Sequence, residues 1–323
     1  MKRKEQKPKT LQEAIQYFSD EQVCIDTVAK LRWPDGVVTC PSCEGKEHYY
    51  LASQKRWKCK ECGRQFSVKL GTIFEDSPIS LCKWLAALWM LVNCKNGVSS
   101  YEVGRALGVT QKSAWFMMHR LRLALRNGSL EKFGSGEGGE VEVDESYVGP
   151  NPKNMHKERK LRYNQQRNAT GHGKAIVMGI LDRESREVRA KVVPNAKRET
   201  LQSEILKNVR HGSRVYTDEA VAYNTLWANY IHRVVNHAEE YVKGSVHTNG
   251  LENFWSLMKR NLRGTYVAVE PFHLDRYLDE QMFRYNNRGS KDAKVTDADR
   301  FDLALKQIGG KRLTFAEVTG KNA

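Results

Sequence analysis

Long apolar runs and acidic side chains are both scarce in this sequence of 323 residues. The longest uninterrupted apolar stretch is the nine residues Trp84–Val92. A helix that spans a bilayer needs about 20, so no membrane partner is expected. The basic start Met1-Lys2-Arg3-Lys4 is not followed by the apolar segment that an export signal requires. A cytoplasmic protein, nucleoid-associated in a bacterial host, is the expectation. No self-similarity at solenoid period is present, which excludes a repeat array. Acids number 38 against 53 Lys and Arg, a formal net charge of +15. An excess of this size points to a polyanionic partner, nucleic acid first, because neutralising phosphates releases counterions. At 40% hydrophobic and 9% aromatic residues the composition is globular, and the length allows two or three domains.

Cysteine is limited to seven residues, an odd number that does not suit a disulfide framework. Four of them form two CxxC pairs, Cys40-Pro-Ser-Cys43 and Cys59-Lys-Glu-Cys62, with 15 residues between. Each pair is a turn that aims two thiolates at one point, and the spacer is long enough for a hairpin. Four thiolates satisfy tetrahedral zinc, leaving no open position, so one structural Zn²⁺ is expected. Gly63 supplies a permissive backbone after the second pair. Two redox CxxC pairs are the weaker alternative, since no thioredoxin-like βαβ pattern surrounds them. Cys24, Cys82 and Cys94 lie in apolar helical contexts and read as small buried hydrophobes.

Residues 99–126 read as helix, turn, helix. Ser99 or Ser100 caps the first helix, Gly108-Val109-Thr110 is the turn, and Thr110 caps the second. Gln111, Lys112 and Ser113 open the second helix, where a major-groove reader touches bases; Arg120 and Arg122 are expected nearer phosphates. A purely structural three-helix bundle is the alternative, and the basic charge favours DNA.

A glycine-punctuated break follows, from Asn127-Gly128 through Gly134-Ser-Gly-Glu-Gly-Gly139. Beyond it the pattern turns α/β. Strands are expected at 141 onward, 175–181, 187–193, 213–216 and 231–235, and helices at 199–209, 219–229, 248–262 and 272–287. Residues 150–173 are a polar basic insertion without apolar period, too long for an ordinary connection. Its Lys153, Lys157, Arg159 and Lys160 are candidate DNA contacts. The expected organisation is a helical segment at 1–34, a zinc ribbon at 35–70, a helix-turn-helix domain at 71–133, an α/β domain at 140–290 and a tail at 291–323.

Three acids in the α/β part stand out. Asp144 lies in the alternating strand Val141-Glu-Val-Asp-Glu-Ser-Tyr, and Asp218 ends the strand Val215-Tyr-Thr-Asp. Glu252 lies in the amphipathic helix His247-Thr-Asn-Gly-Leu-Glu-Asn-Phe-Trp-Ser-Leu-Met-Lys259, whose period puts Glu252 and Lys259 on one face. Three such carboxylates suit two Mg²⁺ or Mn²⁺ ions, hard cations that clamp the attacking and leaving oxygens of a phosphodiester. Each acid also has an ordinary alternative. Asp218 is placed as a helix N-cap, Asp144 shares its strand with Glu142 and Glu145, and Glu252 and Lys259 suit a solvated helix face.

Taken together, these strings resemble the bacterial insertion-sequence transposases of the ISXO type, the IS-fifteen-ninety-five group. The matching segments are the ribbon, Leu70-Gly-Thr-Ile-Phe-Glu-Asp-Ser-Pro78, Val143-Asp-Glu-Ser-Tyr-Val-Gly149, Tyr216-Thr-Asp-Glu219, His247 through Arg260, and Tyr285-Asn286, spanning about residues 20–290. The resemblance implies a multidomain chain: zinc ribbon and helix-turn-helix, then an α/β RNase H-like DDE catalytic domain of the retroviral-integrase type. It makes Asp144, Asp218 and Glu252 the catalytic, metal-binding triad, with Lys259 as the associated basic residue. The Asp218–Glu252 step is 34 residues, close to that of DDE enzymes. The group varies at the third acid, with Asn known there, so Asn249 is the alternative third ligand. The implied partners are double-stranded DNA, both terminal inverted repeats and target, and at least a second copy of the chain to join two ends. A catalytically inert DNA-binding regulator and an RNase H-like nuclease without strand transfer are the competing functions.

Overall fold

The computed structural model describes residues 7–126, 128–129, 131–134, 138–149, 156–158, 161, 174–218, 221–234, 247–267, 269–290 and 293–320. The chain forms two compact units. One joins residues 1–126 to 287–323; the other is the continuous stretch 127–286.

In the first unit, α1 (Leu11–Tyr17) and α2 (Glu21–Arg32) begin at Thr10 and Asp20, whose side chains accept from Glu13 N and Gln22 N. Three short strands follow: β1 (His48–Leu51), β2 (Arg56–Cys59) and β3 (Gln65–Phe66), in the antiparallel order β1-β2-β3. Strand alternation makes Arg56 and Lys58 exposed and buries Trp57 and Cys59. Trp57 stacks on Phe66 and meets Trp33 edge-on, a small aromatic core for a segment with little aliphatic residue of its own. The apolar run becomes α3 (Leu81–Asn93), nine of whose thirteen residues are buried. Next come α4 (Ser100–Leu107) and α5 (Gln111–Leu125). Ser99 and Glu102 close a capping box on α4, Gly108 ends it in the left-handed conformation at φ 59°, and Thr110 accepts from Ser113 N at the start of α5.

The segment expected as a mixed tail is part of this first unit. It carries α9 (Asp297–Leu305) and α10 (Phe315–Thr319), numbered in chain order after the second unit's helices. Phe301 packs on Phe18 and Trp89, and Phe116 on Phe315. The signal was there: a Thr296–Asp299 capping box precedes buried Phe301, Ala304 and Leu305 at helical spacing. The ribbon, the helix pair and the preceding helices likewise share one unit. Phe133, assigned from sequence to the helix-turn-helix domain, instead bridges to Val209 in the second unit.

That second unit is built on five strands: β4 (Glu140–Val148), β5 (Ala175–Asp182), β6 (Val188–Val193), β7 (Arg214–Thr217) and β8 (Ile231–Val234). Their order is β6-β5-β4-β7-β8. The first three are antiparallel neighbours, while β7 runs parallel to β4 and β8 parallel to β7. Its helices are α6 (Arg198–Asn208), α7 (Asn249–Asn261) and α8 (Leu274–Asn286). Leu201 and Ile205 of α6 pack on one sheet face with Val141, Val143, Met178 and Val215. Leu251, Phe254, Trp255 and Met258 of α7 cover the other with Leu274 and Leu278 of α8. A mixed sheet of this order between helical layers is an RNase H-like fold. The helix expected at 219–229 is, among the described residues, two short 3-10 turns, Val221–Tyr223 and Leu226–Ala228. Tyr223, Leu226 and Tyr230 are buried at helical spacing, but Asn224, Thr225 and Asn229 are weak helix formers.

Candidate functional site

The parallel pairing of β4 with β7 aligns Glu140 with Arg214, Val141 with Val215 and Glu142 with Tyr216, and stops there. Continuing that register by two residues sets Asp144 beside Asp218. On its other side β4 stays paired with β5 through Val148. Among the described residues, the edge of β4 that faces β7 is therefore open from Val143 onward, and the acids gather at this opening. Carboxylate oxygens of Asp144, Glu145 and Asp218 lie within 4.8 Å of one another.

Asp144 is held from the α7 side. Trp255 Nε1 donates to its Oδ2 at 2.9 Å, and Glu145 N to its Oδ1 at 2.8 Å. The indole fits because Gly179, cross-strand partner of Asp144, has no side chain: a Cβ there would lie 2.6 Å from the Trp255 ring. Burial pushes the Asp144 carboxyl up to about 6 against these donors, and the charges of Asp218 and Glu252 push the same way. Burial also lifts Glu145 to about 7, against a hydrogen bond from the Tyr223 hydroxyl.

Glu142, two residues before Asp144 on the strand, has a different job. It is fully buried, accepts from Arg183 Nε at 2.9 Å and takes Leu251 N at 3.0 Å, anchoring the N-terminus of α7. His247 Nδ1 is 3.5 Å from it. Gly250 makes this approach available, since a Cβ there would sit 2.9 Å from Glu142 Oε2. That anchor fixes the position of Glu252 one turn into α7. Glu252 is exposed, with Thr248 Oγ1 at 3.5 Å. It lies outside the 4.8 Å cluster yet close enough for its charge to act on Asp144. Asn249 is exposed at the helix start, and no described contact joins it to the acids. Lys259 is half-buried; burial and the neighbouring Arg263 hold its ammonium below the usual lysine range, and Asp144 opposes them.

The acid cluster fits a hard divalent cation. Two oxygens on one Mg²⁺ lie at most about 4.2 Å apart, near the spread observed, and carboxylate oxygen is its preferred donor. The thiol cluster fits zinc equally well. All four sulfurs of Cys40, Cys43, Cys59 and Cys62 lie within 4.8 Å, with Cys40–Cys62 at 3.8 Å and Cys43–Cys59 at 3.5 Å. A tetrahedral ion with Zn–S near 2.3 Å sets sulfurs about 3.8 Å apart. Burial opposes the thiolate at Cys40, but the N–H groups of Ser42 and Cys43 outweigh it and bring the thiol to about 7. Gly63 takes φ 69° after the second knuckle. Cys24 is buried and Cys82 and Cys94 partly so, in helical surroundings.

In the helix pair, Gly104 allows close crossing: a Cβ there would meet Val109 O at 3.1 Å. Lys112 is exposed, its ammonium 4.8 Å from the Phe315 ring centroid. Gln111 and Ser113 are half-buried; Gln111 donates to Ser100 Oγ, and Ser113 Oγ accepts from Thr110. The structure corrects the expectation for Arg120 and Arg122. They are only 4% and 1% exposed, so neither guanidinium is presented to a phosphate. Arg120 donates to Glu75 O at 2.6 Å and lies over Trp84 and Phe116. Both face the interior because the second half of α5 is buried on nearly every side, which a count of basic residues does not reveal. Of the insertion's candidates, Lys157 is exposed; Lys153, Arg159 and Lys160 lie outside the described residues.

Sequence reasoning did not single out Trp255, Tyr223 or Gly179. Trp255 stands four residues after Leu251, in step with the apolar stripe, which was the available signal. Glu145 was weighed only as a competitor to Asp144. The motif residues Tyr285 and Asn286 serve the frame: Tyr285 donates to Gly250 O, and the Asn286 amide pairs with both Val188 N and O.

The family model for the ISXO2-like transposase domain matches residues 137–286, and that for the transposase zinc-ribbon domain matches residues 19–65. An uncharacterized protein in transposable element ISH50 of Halobacterium salinarum is 28% identical over 258 residues, covering 76% of this chain and 84% of that protein. A chain in the cryo-EM structure of the simian T-cell lymphotropic virus intasome in complex with PP2A regulatory subunit B56 gamma is similar over 67% of this chain and 74% of its own. The identity there is 11% and the TM-score 0.31, too loose a likeness to carry weight. The ribbon with its four thiols, the sheet with its acids, and both family matches agree: the chain carries the two domains of the ISXO-type insertion-sequence transposases, a zinc ribbon within residues 19–65 and an RNase H-like DDE domain over residues 137–286.

Proposed function

We propose that the protein binds the terminal inverted repeats of an insertion sequence and carries out metal-dependent strand cleavage and strand transfer into target DNA. The observation that carries this reading is the convergence of Asp144 and Asp218 at the open end of the β4–β7 pair, with Glu252 on the helix beside them. Asp144 and Asp218 would hold the ions, with Glu252 as third ligand and Asn249 as its alternative. The chemistry that two Mg²⁺ or Mn²⁺ ions would supply there, when bound, is activation of a water and neutralisation of the phosphodiester charge. Trp255 fixes the Asp144 carboxylate, so the site is preorganised by the fold. Lys259 lies on the same helix within electrostatic reach of Asp144 and orients a phosphate oxygen.

No side-chain nucleophile is needed. Cleavage leaves a 3′-hydroxyl, and that hydroxyl attacks the target strand, so catalysis is positioning and charge stabilisation. Lys112, Gln111 and Ser113 at the start of α5 read DNA, and the basic insertion, Lys157 included, adds phosphate contacts. Joining two ends calls for a second copy of the chain.

The test uses the full chain, duplex DNA carrying the element's terminal repeats, and Mg²⁺ or Mn²⁺. Asp144→Asn and Asp218→Asn should each lower cleavage and joining at least about 10³-fold, because several kcal/mol of charge stabilisation is lost at about 1.4 kcal/mol per decade. Repeat binding should stay within about twofold. Cleavage that survives both substitutions would overturn the reading. Binding without any cleavage by the unmodified chain would make it a regulator, and cutting without joining a nuclease.

A further inference from the structure

Successive residues on a strand point to opposite faces, so an Asp-Glu dipeptide inside a sheet presents its carboxylates on different sides. Asp144 does face α7, where Trp255 donates to it. Glu145 faces the other layer, where Tyr223, itself buried with α6 and β7, donates to it. Yet oxygens of both come within 4.8 Å of Asp218. The open edge explains this. Among the described residues no strand covers that side of β4 beyond Glu142, and two carboxylates from opposite faces can both swing sideways to one point. Each is steered by its own aromatic donor, one from each face.

Charge balance sharpens the contrast along the strand. Glu142 is buried and paired by the protein itself, through Arg183. Glu145 is half-buried, and neither it nor Asp144 has an ion pair among the described residues; its neighbours are two further carboxylates. Removing acids from water without a cation is costly.

We infer that Glu145 is a fourth carboxylate of the divalent-metal site, a direct ligand held toward Asp218 by the Tyr223 hydroxyl. This inference rests on the proposed DDE reading and adds a residue that the triad does not contain. Tyr223 is a positioning residue, since it touches the ligand and not the ion.

The experiment is Mn²⁺ binding to the full chain without DNA, followed by electron paramagnetic resonance and by the shift in melting temperature. Asp218→Asn is the reference for loss of the site, and circular dichroism is recorded for every variant as a check on folding. Glu145→Gln should weaken Mn²⁺ at least tenfold. Glu145→Asp keeps the charge but shortens the reach by one methylene, and it should also weaken Mn²⁺ several-fold. Tyr223→Phe keeps the packing and should weaken it two- to fivefold. If Glu145→Asp binds Mn²⁺ like the unmodified chain while Glu145→Gln does not, Glu145 acts only through its field and the inference fails. It fails also if Glu145→Gln is indistinguishable from the unmodified chain while Asp218→Asn has lost Mn²⁺; the DDE reading then stands. If Asp218→Asn binds Mn²⁺ normally, the DDE reading itself falls.

Discussion

The two candidate metal centres of this chain are built in opposite ways. The ribbon takes all four donors from two tight turns, fewer than 25 residues from first to last. Its sulfurs already lie within 4.8 Å of one another, close to the spacing of a tetrahedral site, and nothing in it needs to admit a substrate. The acid centre gathers its carboxylates from one strand and the residue after another, brought together by sheet register, with Glu252 on a helix beside them. It is open on one edge. A closed centre stabilises a fold that has little core of its own, whereas an open one leaves coordination positions for water and phosphate. The first is therefore expected to fail by unfolding and the second by losing chemistry while the fold persists.

The largest effect that tests this contrast is in the ribbon. Cys59→Ser should drop zinc from about one ion per chain to well below half and unfold the ribbon, because zinc binding and folding are one event in such sites. Mn²⁺ binding in the acid unit should survive. Zinc measured by emission spectrometry, with Mn²⁺ resonance on the same sample, decides it; full zinc after the substitution would break the assignment.

In the open centre, Glu252→Gln should cut cleavage by about 10²–10³-fold with an unchanged melting profile, as expected when one charge leaves a metal site. Asn249→Ala should cost only a few-fold. The reverse ranking would move the third ligand one helical turn, to Asn249.

A third expectation concerns pH. Asp144 rises from an ordinary 3.8 to about 6 and Glu145 from 4.5 to about 7. Both are raised, so the metal-free folded state holds these protons more tightly than the unfolded chain does. Its stability should fall as pH climbs from about 4 to about 7. Added Mn²⁺ should restore stability at pH 8 and do little at pH 5. Denaturation with and without Mn²⁺ at the two pH values measures it, and equal stabilisation at both would contradict the protonation described.

The smallest effect is expected at the helix pair. Lys112→Ala should weaken binding to all DNA a few-fold and lower the salt slope by about one if it meets a phosphate. Arg120→Ala should instead destabilise the first unit by about 1–3 kcal/mol, by orphaning the Glu75 carbonyl and emptying a packed site, without changing the salt slope. Titrations at several salt concentrations separate the two.

Much of this molecule was legible before its structure. The thiol pairs are local, and their spacing alone implies the ribbon. Ser99, Gly108 and Thr110 mark the ends of α4 and α5 because capping is chemistry within one turn. What escaped was whatever depends on partners remote in sequence. Nothing local distinguishes Glu142 from Asp144: both alternate onto the same face, and only the approach of Arg183 and the α7 N-terminus turns the first into an anchor. Glu145 was hidden by strand alternation itself, which assigns it to the wrong side unless the edge is known to be open. Arg120 and Arg122 read as surface charges because burial of a long helix on most sides is set by neighbours that include the distant Phe315. The helices after residue 296 were the avoidable miss, since their capping boxes stand in plain view.

That last region has a consequence for the order in which the protein is made. The first unit is not finished by its first 126 residues; Phe301, lodged against Phe18 and Trp89, completes its interior. A chain growing from its N-terminus has therefore synthesised the whole acid unit before the ribbon and helix pair can close their core. A nascent chain interrupted anywhere before Phe301 lacks the contacts with Phe18 and Trp89, so the interior of the first unit closes only late in translation.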